Sequence, residues 1–417
     1  MVIFLLTLLS AVSAYTSIPL YSSKIPAWNL KKPMISLLDS PKGAIPVHNY
    51  YNLQYYATFQ VGTPGQDISF ILDTGSSWTW VPSTGCECHN LTNTFNKNLS
   101  STYIGSGNLT YLLYGQGYVE GELFKDTISL GGLDVQNQQM VLAYRDMDLE
   151  GLASDGLLGL GFKELSDNVS TVIDNMFDQG IIQEKVFSLY LNNFNYDNIY
   201  DSALTVGGYD TKYAEGPGVT IKSLDLVGFW LNIIDSVSIG NDKSNDRAYA
   251  ILDIGTSFLY GPDYEVDMIL NAINNTSICQ YDEDGYLYCA CDYENLDVFP
   301  SIEFVIENNT FTISPYSYML YDNETNDTCY VFIDYTGATY WLLGQVFFRE
   351  YYSVYDMDNY TVQLFPAVKG PIFDRSLNSY GYIIQGMAAG VSFVALAVII
   401  QIRRMRSDSG VDYNRII

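Results

Sequence analysis

Two short segments with nearly the same sequence carry the residues best suited to chemistry. ILDTGSS, residues Ile71–Ser77, holds Asp73, and ILDIGTS, residues Ile251–Ser257, holds Asp253. In each segment apolar residues that fit a strand precede the Asp, and a Gly that allows a tight turn follows it. A single such segment would indicate a plain turn. Its repetition predicts two loops that bring Asp73 and Asp253 together.

A pair of adjacent carboxylates has a definite chemistry. Two carboxyl groups a few ångströms apart do not both ionise, so one pKa falls, the other rises, and the pair holds one proton. The ionised partner can take a proton from a bound water that attacks a peptide carbonyl, while the protonated partner donates to the developing oxyanion. The repeat therefore predicts acid–base hydrolysis that needs neither a metal nor a cofactor.

A second repeat indicates the elements that position the two loops. ASDGLLGLGF, Ala153–Phe162, follows the first Asp, and TYWLLGQVFF, Thr339–Phe348, follows the second; each holds two apolar residues and a Gly. Two motifs repeated in the same order imply two structurally related lobes, each built around an Asp loop. Their junction is expected near the turn-rich segment Gly207–Gly218.

The segments between Tyr51 and Pro366 predict β-structure almost throughout. Short apolar or alternating stretches such as YYATFQV, ISFILD and FSLYL are bounded by Gly, Asn, Asp or Pro. Helical patterns are few and short, for example Ser170–Gln179 and Pro262–Asn271. The expected fold class is therefore mainly β.

Composition and charge argue against several classes of function. Asp and Glu outnumber Lys and Arg by 47 to 20, and the formal charge of −27 would repel a nucleic acid. Carboxylate protonation would relieve this self-repulsion, which suits an acidic compartment, although solubility alone also accounts for the charge. The chain has two histidines, His48 and His89, and neither has the surroundings that a Ser-His, Cys-His or zinc hydrolase requires.

The two ends of the chain predict a membrane-anchored secretory protein. Residues 1–14 form an apolar run that ends in small residues, as in a cleaved signal peptide. Tyr382–Ile402 has no charged residue, is long enough to cross a bilayer once, and precedes an Arg-rich flank that begins at Arg403. The alternatives are a buried core helix and a glycosylphosphatidylinositol signal, although such a signal would end in its apolar segment.

Two further features bear on location. Tyr413–Ile416 resembles the tyrosine-based signals that sorting adaptors bind, and chance accounts for it equally well. The chain is expected to be a single-pass type I protein of the secretory or endolysosomal pathway or of the cell surface. Ten N-x-Ser/Thr sequons suit a lumenal surface; they begin at Asn90, Asn98, Asn108, Asn168, Asn274, Asn275, Asn308, Asn323, Asn326 and Asn359.

From about Asn49 to Val368 the chain resembles the pepsin-type aspartic endopeptidases, the family of pepsin and cathepsin D. NYYNLQYYATFQVGTPGQ resembles the start of the mature enzymes, ILDTGSSWTWVPS and ILDIGTS the two catalytic segments, YGQG the flap hairpin, and WLLGQVFFREYYSVYD the closing motif. The resemblance implies a bilobal pepsin-like fold of two β-rich lobes with the active-site cleft between them. It also implies polypeptide substrates, bound extended, with apolar residues beside the scissile bond.

The same resemblance assigns the central residues of the site. Asp73 and Asp253 would be the catalytic dyad. Tyr114, which precedes Gly115 in the flap, would hydrogen-bond Trp80 and cover the scissile bond. The flap is therefore expected to close over bound substrate.

Supporting roles and a zymogen segment also follow from the resemblance. Ser76 and Thr256 would support the two carboxylates, while Gly75 and Gly255 would let the substrate backbone approach. Residues 15–47, which contain four lysines, would form a propeptide that blocks an acidic cleft until the carboxylates become protonated.

Two residues depart from the family pattern. The family has Thr or Ser after each Asp, with a hydroxyl that bonds to the opposite loop; this chain has Thr74 but also Ile254. Because Ile lacks a hydroxyl, the second loop is expected to be held less firmly, at a cost of roughly 1–3 kcal/mol for an unpaired buried donor. Gln345 stands where pepsin and cathepsin D have Asp, which would make the working pH less acidic.

The six cysteines are expected to contribute to disulfides, and the pairing of Cys86 and Cys88 is left open. Cys291 and Cys329 match the disulfide of the family's C-terminal lobe, and Cys279 and Cys289 bracket a hairpin-like segment. Cys86 and Cys88 stand where the family has a small loop, although one intervening residue makes a strained bridge. A metal site at Cys86, Cys88 and His89 lacks a fourth ligand, so no metal is expected.

The leading hypothesis is a membrane-anchored aspartic endopeptidase that works at acidic pH. The rival is a catalytically impaired, peptide-binding protein of the same fold that acts in adhesion or sorting, which Ile254 would favour. The expected organisation is a signal peptide 1–14, a propeptide 15–47, an N-terminal lobe 48–215, a C-terminal lobe 216–372, a linker 373–381, a transmembrane helix 382–402 and a cytoplasmic tail 403–417.

Overall fold

The computed structural model describes residues 44–371, except residues 51, 89–90, 116, 150, 194–195, 197–199, 283–284 and 323–326. The expected signal peptide, nearly all of the propeptide, the linker, the transmembrane helix and the sorting signal lie outside the described residues. Within the described ranges, no helix has the length and apolar character needed to cross a bilayer.

The first half of the chain forms a twisted sheet of eight strands, in the order β2-β3-β4-β9-β5-β8-β7-β6. Its central strands are buried on both faces, and β6 lies at one edge. The strands of this half are β1 Ala44–Pro46, β2 His48–Tyr50, β3 Gln54–Val61, β4 Gln66–Asp73, β5 Trp80–Glu87, β6 Ile104–Leu113, β7 Tyr118–Leu130, β8 Leu133–Met147, β9 Gly156–Gly159, β10 Val186–Tyr190 and β11 Ala203–Val206.

The second half forms an eight-stranded sheet and a four-stranded sheet. The larger runs β20-β19-β13-β15-β24-β16-β23, with β14 added beside β13, and the smaller runs β17-β18-β22-β21. The strands are β12 Val219–Lys222, β13 Leu231–Ile239, β14 Asp242–Ser244, β15 Ala248–Leu252, β16 Leu259–Gly261, β17 Cys279–Tyr281, β18 Leu287–Ala290, β19 Ile302–Ile306, β20 Asn309–Ile313, β21 Met319–Asp322, β22 Thr328–Val331, β23 Ile333–Tyr335, β24 Tyr340–Leu343, β25 Tyr351–Asp356 and β26 Thr361–Pro366.

A third large sheet joins the two halves. Its six strands run β1-β11-β10-β25-β26-β12, so strands from both ends of the described chain lie side by side. β1 falls within the expected propeptide, yet it pairs with β11, and Ile45 and Val47 are buried. These residues are part of the folded body. The mainly β, two-lobed fold class is confirmed.

Helices are few and short. The two expected helical segments correspond to α1 Val172–Asp178 and α2 Asp263–Asn274. A capping box starts α1, since the Thr171 hydroxyl accepts from the Asp174 amide and the Asp174 carboxylate accepts in return. The described residues also form the four-residue helices α3 Pro315–Tyr318 and α4 Gln345–Phe348, and 3₁₀ turns at Lys97–Leu99, Lys163–Ser166, Thr211–Tyr213 and Tyr293–Val298.

The two repeated motifs of each half are neighbouring strands. β4 pairs in parallel with β9, which places Asp73 opposite Gly159, and β15 pairs in parallel with β24, which places Leu252 opposite Leu343. The amide of Leu160 donates to the carbonyl of Asp73 at 2.7 Å. In each lobe, the strand of the second motif therefore pairs with the strand that carries the Asp loop and fixes its position.

Contacts between the lobes fix their relative position. The buried guanidinium of Arg349 donates from Nη1 to the carbonyl of Asn52 at 2.6 Å, and from Nη2 to the carbonyl of Ser317. Asn193 Nδ2 donates to the carbonyl of Tyr316 at 2.9 Å. One buried cation thus links the start of the first lobe to the second lobe.

Candidate active site

The two repeated Asp residues meet where the lobes face each other. Asp73 is the last residue of β4, Asp253 directly follows β15, and both side chains are fully buried. A methyl group built on Gly255 would lie 2.4 Å from Oδ1 of Asp73 and 3.1 Å from Oδ1 of Asp253. The absence of a side chain at Gly255 therefore permits both carboxylates to approach the same point.

The hydrogen bonds of the two carboxylates mirror each other. Asp73 Oδ1 accepts from the amide of Gly75 at 2.8 Å, and its Oδ2 accepts from the hydroxyl of Ser76. Asp253 Oδ1 accepts from the amide of Gly255 at 2.9 Å, and its Oδ2 accepts from the hydroxyl of Thr256 at 2.6 Å. Each acid thus has one amide and one hydroxyl donor, from residues two and three positions later.

The electrostatics of the pair favour protonation. Burial raises the pKa of Asp73 well above its ordinary value, and the neighbouring charge of Asp253 raises it further. Burial also raises the pKa of Asp253, against the hydrogen bonds from Thr256 and Asp73 that lower it. Because desolvation and like charge both disfavour full ionisation, the pair retains a proton at a pH where exposed carboxyls have lost theirs.

One of the two cross-loop hydroxyl bridges is present. The hydroxyl of Thr74 donates to the carbonyl of Leu252 at 2.8 Å and accepts from the amide of Ile254 at 2.9 Å. Ile254 is fully buried in the main apolar core and has no hydroxyl that could form the matching hydrogen bonds to the first Asp loop. The first lobe therefore holds the second Asp loop through hydrogen bonds from the Thr74 side chain to backbone groups of that loop.

A contact that the sequence did not indicate also holds the second loop. Gln345, at the start of α4, donates from its side-chain Nε2 to the carbonyl of Ile254 at 2.9 Å, and its backbone N–H donates to the carbonyl of Thr256 at 2.8 Å. Gln345 is fully buried. The two departures from the family pattern thus touch each other, which their separation by 91 positions concealed.

The flap residues pack on the apolar wall of the first lobe. Tyr114 lies between β6 and β7, its amide donates to the carbonyl of Gly117 at 3.0 Å, and Gly115 follows it in the buried turn. Its ring belongs to one apolar cluster with Trp80 and Leu112. The expected hydrogen bond from Tyr114 to Trp80 is not formed, since the indole Nε1 of Trp80 meets no acceptor in the part of the chain that the structure describes.

A further buried group lies close to the dyad. Tyr355, on β25, is fully buried; burial raises the pKa of its phenol, and the charge of Asp253 adds to the shift. It comes from the closing segment YYSVYD, where nothing in the sequence distinguished it from the chain's other tyrosines.

All six cysteines are paired in the structure, including Cys86 and Cys88, whose pairing the sequence left open. Cys279 faces Cys289 across the β17–β18 hairpin, Cys291 is bonded to Cys329, and Cys86 to Cys88. None of these bridges touches the dyad. In the described ranges, no group of three or more His, Cys, Asp or Glu side chains is arranged to hold a metal ion.

Comparison with known proteins agrees with this geometry. The sequence profile described as eukaryotic aspartyl protease matches residues 54–367. The chain is 33% identical over 335 residues to pepsin A of Sus scrofa, covering 78% of this chain and 84% of that protein. It is 34% identical over 330 residues to the probable vacuolar protease A of Trichophyton verrucosum, covering 77% and 80%, and 32% identical over 345 residues to cathepsin E of Rattus norvegicus, covering 78% and 82%.

Proposed function

Because this chain belongs to the eukaryotic aspartyl protease family and is an aspartic-type endopeptidase, we propose that it cleaves peptide bonds with a water activated by Asp73 and Asp253. The observation that carries this proposal is the mirrored pair of buried carboxylates, each held by one amide and one hydroxyl. The ionised carboxyl takes a proton from the water as it attacks the peptide carbonyl. The protonated carboxyl donates to the developing oxyanion.

We propose an acidic working pH whose range extends towards neutrality, because the pKa values of both carboxyls are raised. The reaction needs one proton on the pair, and the raised pKa of both carboxyls keeps it there as pH rises above the range of an exposed Asp. Activity is lost when the pair gives up its last proton. At the acid end it is lost when both carboxyls are protonated and no base remains. A bell-shaped pH profile follows.

The proposed substrates are extended polypeptides with apolar residues at the cut. Membership of the aspartyl protease family supports polypeptide substrates, and the preference for apolar residues beside the scissile bond rests on the resemblance to the pepsin-type endopeptidases.

The decisive experiment compares single Asn variants of the two acids. Asp73→Asn and Asp253→Asn keep the shape of the side chain and remove its acidity, so each should abolish cleavage of a peptide library between about pH 3 and 7. Asp67→Asn is the matched control, because Asp67 lies exposed on the same strand β4. Pepstatin should block the wild-type activity. Cleavage by either dyad variant near the control rate would refute the dyad.

Ile254 favours one alternative function. A protein with a weakened second loop could bind peptides without cutting them, and would then serve in adhesion or sorting. Under this alternative the wild-type chain binds library peptides at acidic pH but releases no products, and the Asn variants bind equally well.

Membrane anchoring forms part of the proposal and rests on the sequence of residues 382–402. We expect a type I protein whose catalytic lobes lie in the lumen or outside the cell. The full chain should resist carbonate extraction, and a tag at its C-terminus should be digested by protease added to sealed microsomes. A protected tag would contradict this orientation.

A further inference from the structure

The outer strand of the first lobe is an exposed sheet edge. β6 stands last in the strand order of its sheet and pairs with β7 on one side, so its other hydrogen-bonding side faces away from the sheet. Such an edge is a template for another strand, and proteins usually prevent strand addition there with charged residues such as Lys, with Pro, or with a β-bulge. Residues Ile104–Leu113 contain no charged residue and no Pro.

One face of β6 is also strongly apolar. Leu109, Tyr111 and Leu113 alternate along the strand and are 81%, 46% and 39% exposed, whereas the intervening Leu112 is buried. The ring of Tyr111 stacks on that of Tyr118 at 4.6 Å, and Met147 stands opposite Tyr118 on β8. These five residues, Leu109, Tyr111, Leu113, Tyr118 and Met147, are here named the flap-edge face.

A glycosylation sequon interrupts this edge. Asn108-Leu109-Thr110 lies where the pairing of β6 with β7 shifts register, and Gly107 has a φ of 71° there. The hydroxyl of Ser106 donates to the carbonyl of Leu123 at 2.6 Å and accepts from the amide of Asn108 at 3.1 Å. The bulge is thus fixed by the hydroxyl of Ser106, and the exposed Asn108 directly precedes Leu109 of the flap-edge face.

The position of Asn108 distinguishes it from the other described sequons. The asparagines of all the described sequons are exposed, so exposure does not distinguish one sequon from another. Asn108 is the one that lies inside a β-strand, whereas the rest lie in turns, in a 3₁₀ turn or at the end of α2. The described set is Asn98, Asn108, Asn168, Asn274, Asn275, Asn308 and Asn359.

We propose that Asn108 carries an N-linked glycan that covers the flap-edge face and prevents strand addition at β6. The co-reactant is a lipid-diphosphate-linked oligosaccharide. The Asn108 carboxamide nitrogen forms a bond to C1 of the first sugar, the bond from that carbon to the diphosphate oxygen breaks, the nitrogen loses one proton, and the lipid diphosphate leaves. The apolar faces of the sugar rings pack on Tyr111 and Tyr118, and the hydroxyls face water.

Charge argues against a second copy of the chain as the cover. Glu120 and Glu122 of β7 stand opposite Tyr111 and Leu109. Arg145 and Lys97 pair with these two glutamates, so repulsion between copies comes from the net charge of the chain. The whole chain carries a formal charge of −27, so two copies repel each other at neutral pH. A glycan adds bulk and hydration at this edge without adding charge.

The first test is direct detection of the glycan. The full chain is expressed in a eukaryotic host and deglycosylated by an amidase in heavy-oxygen water, which converts each occupied Asn to a labelled Asp. Peptide mass spectrometry should find Asn108 labelled in most molecules. Finding Asn108 unlabelled in most molecules overturns the proposal, whatever the state of the other sequons.

The second test asks what the glycan does. Two differently tagged full-length copies are co-expressed, and their co-purification in mild detergent is measured. Asn108→Gln and Thr110→Ala, which remove the sequon in two ways, should raise co-purification several-fold. Thr110→Ser keeps the sequon and Asn168→Gln removes another, so both should match the wild type.

A variant with a charged edge, the yield of the sequon variants and the association of the wild type also test the covering role. Leu109→Lys added to Asn108→Gln charges the exposed edge and should return co-purification to the wild-type level. If the sequon variants accumulate poorly, the same added Lys should restore their yield; failure to do so refutes the covering role. Strong association of the fully occupied wild type would show that the face is an interface between copies instead.

Discussion

At the scale of single residues, the burial of Asp73 and Asp253, which supports the proposed chemistry, lowers the stability of the folded protein. Both carboxyls are buried and each has a pKa raised by that burial, so ionising them is harder in the folded protein than in the unfolded chain. A carboxyl with a raised folded pKa costs stability as pH rises from its unfolded pKa through its folded pKa. The catalytic pair is therefore expected to destabilise the protein at neutral pH.

This predicts a pH-dependent gain in stability when one acid is removed. Asp253→Asn should raise the midpoint of thermal unfolding above that of the wild type at pH about 7, because a buried ionisable group is lost. The gain should shrink towards pH about 4, where the wild-type carboxyl takes up its proton. Scanning calorimetry at the two pH values checks it, with Asp67→Asn as the control. A gain that is equal at both pH values would contradict the linkage.

Ile254 offers a second test at this scale. By the symmetry of the two loops, a hydroxyl at position 254 should meet the backbone of the first loop, as the hydroxyl of Thr74 meets the carbonyl of Leu252 and the amide of Ile254. Ile254→Thr and Ile254→Val have nearly the same shape and differ in that hydroxyl. The Thr variant should be the more stable by about 0.5–1.5 kcal/mol in denaturant unfolding.

The reverse order would be equally informative. A Thr variant less stable than the Val variant would mean that the buried hydroxyl finds no partner among the surrounding apolar side chains. The second loop would then be organised around Ile254, with the carbonyl of that residue held by Gln345.

At the scale of elements, the flap hairpin depends on a close approach of two backbones. Gly117 has a φ of 78°, and a methyl group on it would lie 2.0 Å from the carbonyl oxygen of Met147 on β8. Gly107, in the same hairpin, has a φ of 71° but nothing within 4 Å of such a methyl group. The two glycines share the left-handed backbone and differ in their surroundings.

Alanine substitutions at these glycines should therefore separate strain from contact. Both variants bear the left-handed penalty of roughly 1 kcal/mol. Gly117→Ala must also move the turn that carries Tyr114, so we expect a clear loss of kcat/KM, whereas Gly107→Ala should cleave at nearly the wild-type rate. Steady-state kinetics on one peptide and thermal unfolding of both variants provide the check. Equal kinetics would show that the turn does not position the flap.

The sequence predicted those parts of the site that depend on near neighbours. Ser76 and Thr256 lie three positions after their Asp, so the local turn brings hydroxyl and carboxylate together. The helical segment Ser170–Gln179 is also a local prediction, and α1 lies within it, with a capping box of Thr171 and Asp174 at its start. Contacts between distant residues gave no such signal. In the sequence, Gln345 indicates only the loss of a carboxylate, and its hydrogen bond to Ile254 depends on the tertiary structure. The Tyr114–Trp80 hydrogen bond that the resemblance implies is not formed.

Strand partners across the molecule were likewise hidden. Alternation and turn residues indicated most strands, but they do not say that β10 pairs with β25 or that β1 joins β11. The four-residue helices α3 and α4 lie in segments rich in Tyr and Phe, which favour strands, and only the tertiary context makes them helical.

At the scale of the whole molecule, β1 bears on where the propeptide ends. The expected boundary after residue 47 would remove β1 from the six-stranded sheet, together with the buried side chains of Ile45 and Val47. The amide of Val47 also donates to the carbonyl of Ser202 at 2.8 Å. Burial of each such side chain is worth roughly 1.5–3 kcal/mol. We therefore expect activation to cut before Ala44.

This can be measured on the activated enzyme. N-terminal sequencing after acid activation should find a first residue at or before position 44. A protease site placed between Val47 and His48 should give, after cutting, a lower unfolding midpoint than the same site placed before Ala44. A natural cut after Val47 with no loss of stability would show that β1 is dispensable.

The shared sheet also determines when the protein can finish folding during its synthesis. β10 and β11 leave the ribosome early and pair with each other, but the second partner of β10 is β25, which begins at Tyr351, and the last strand of the sheet to be made is β26, which ends at Pro366. Until then the nascent chain carries open strand edges. Asp253 has been made by that stage, but β15, which precedes it, has its parallel neighbour β24 only after Leu343 has been added. The order of translation thus delays the assembly of the catalytic pair until nearly every residue of both lobes has been made.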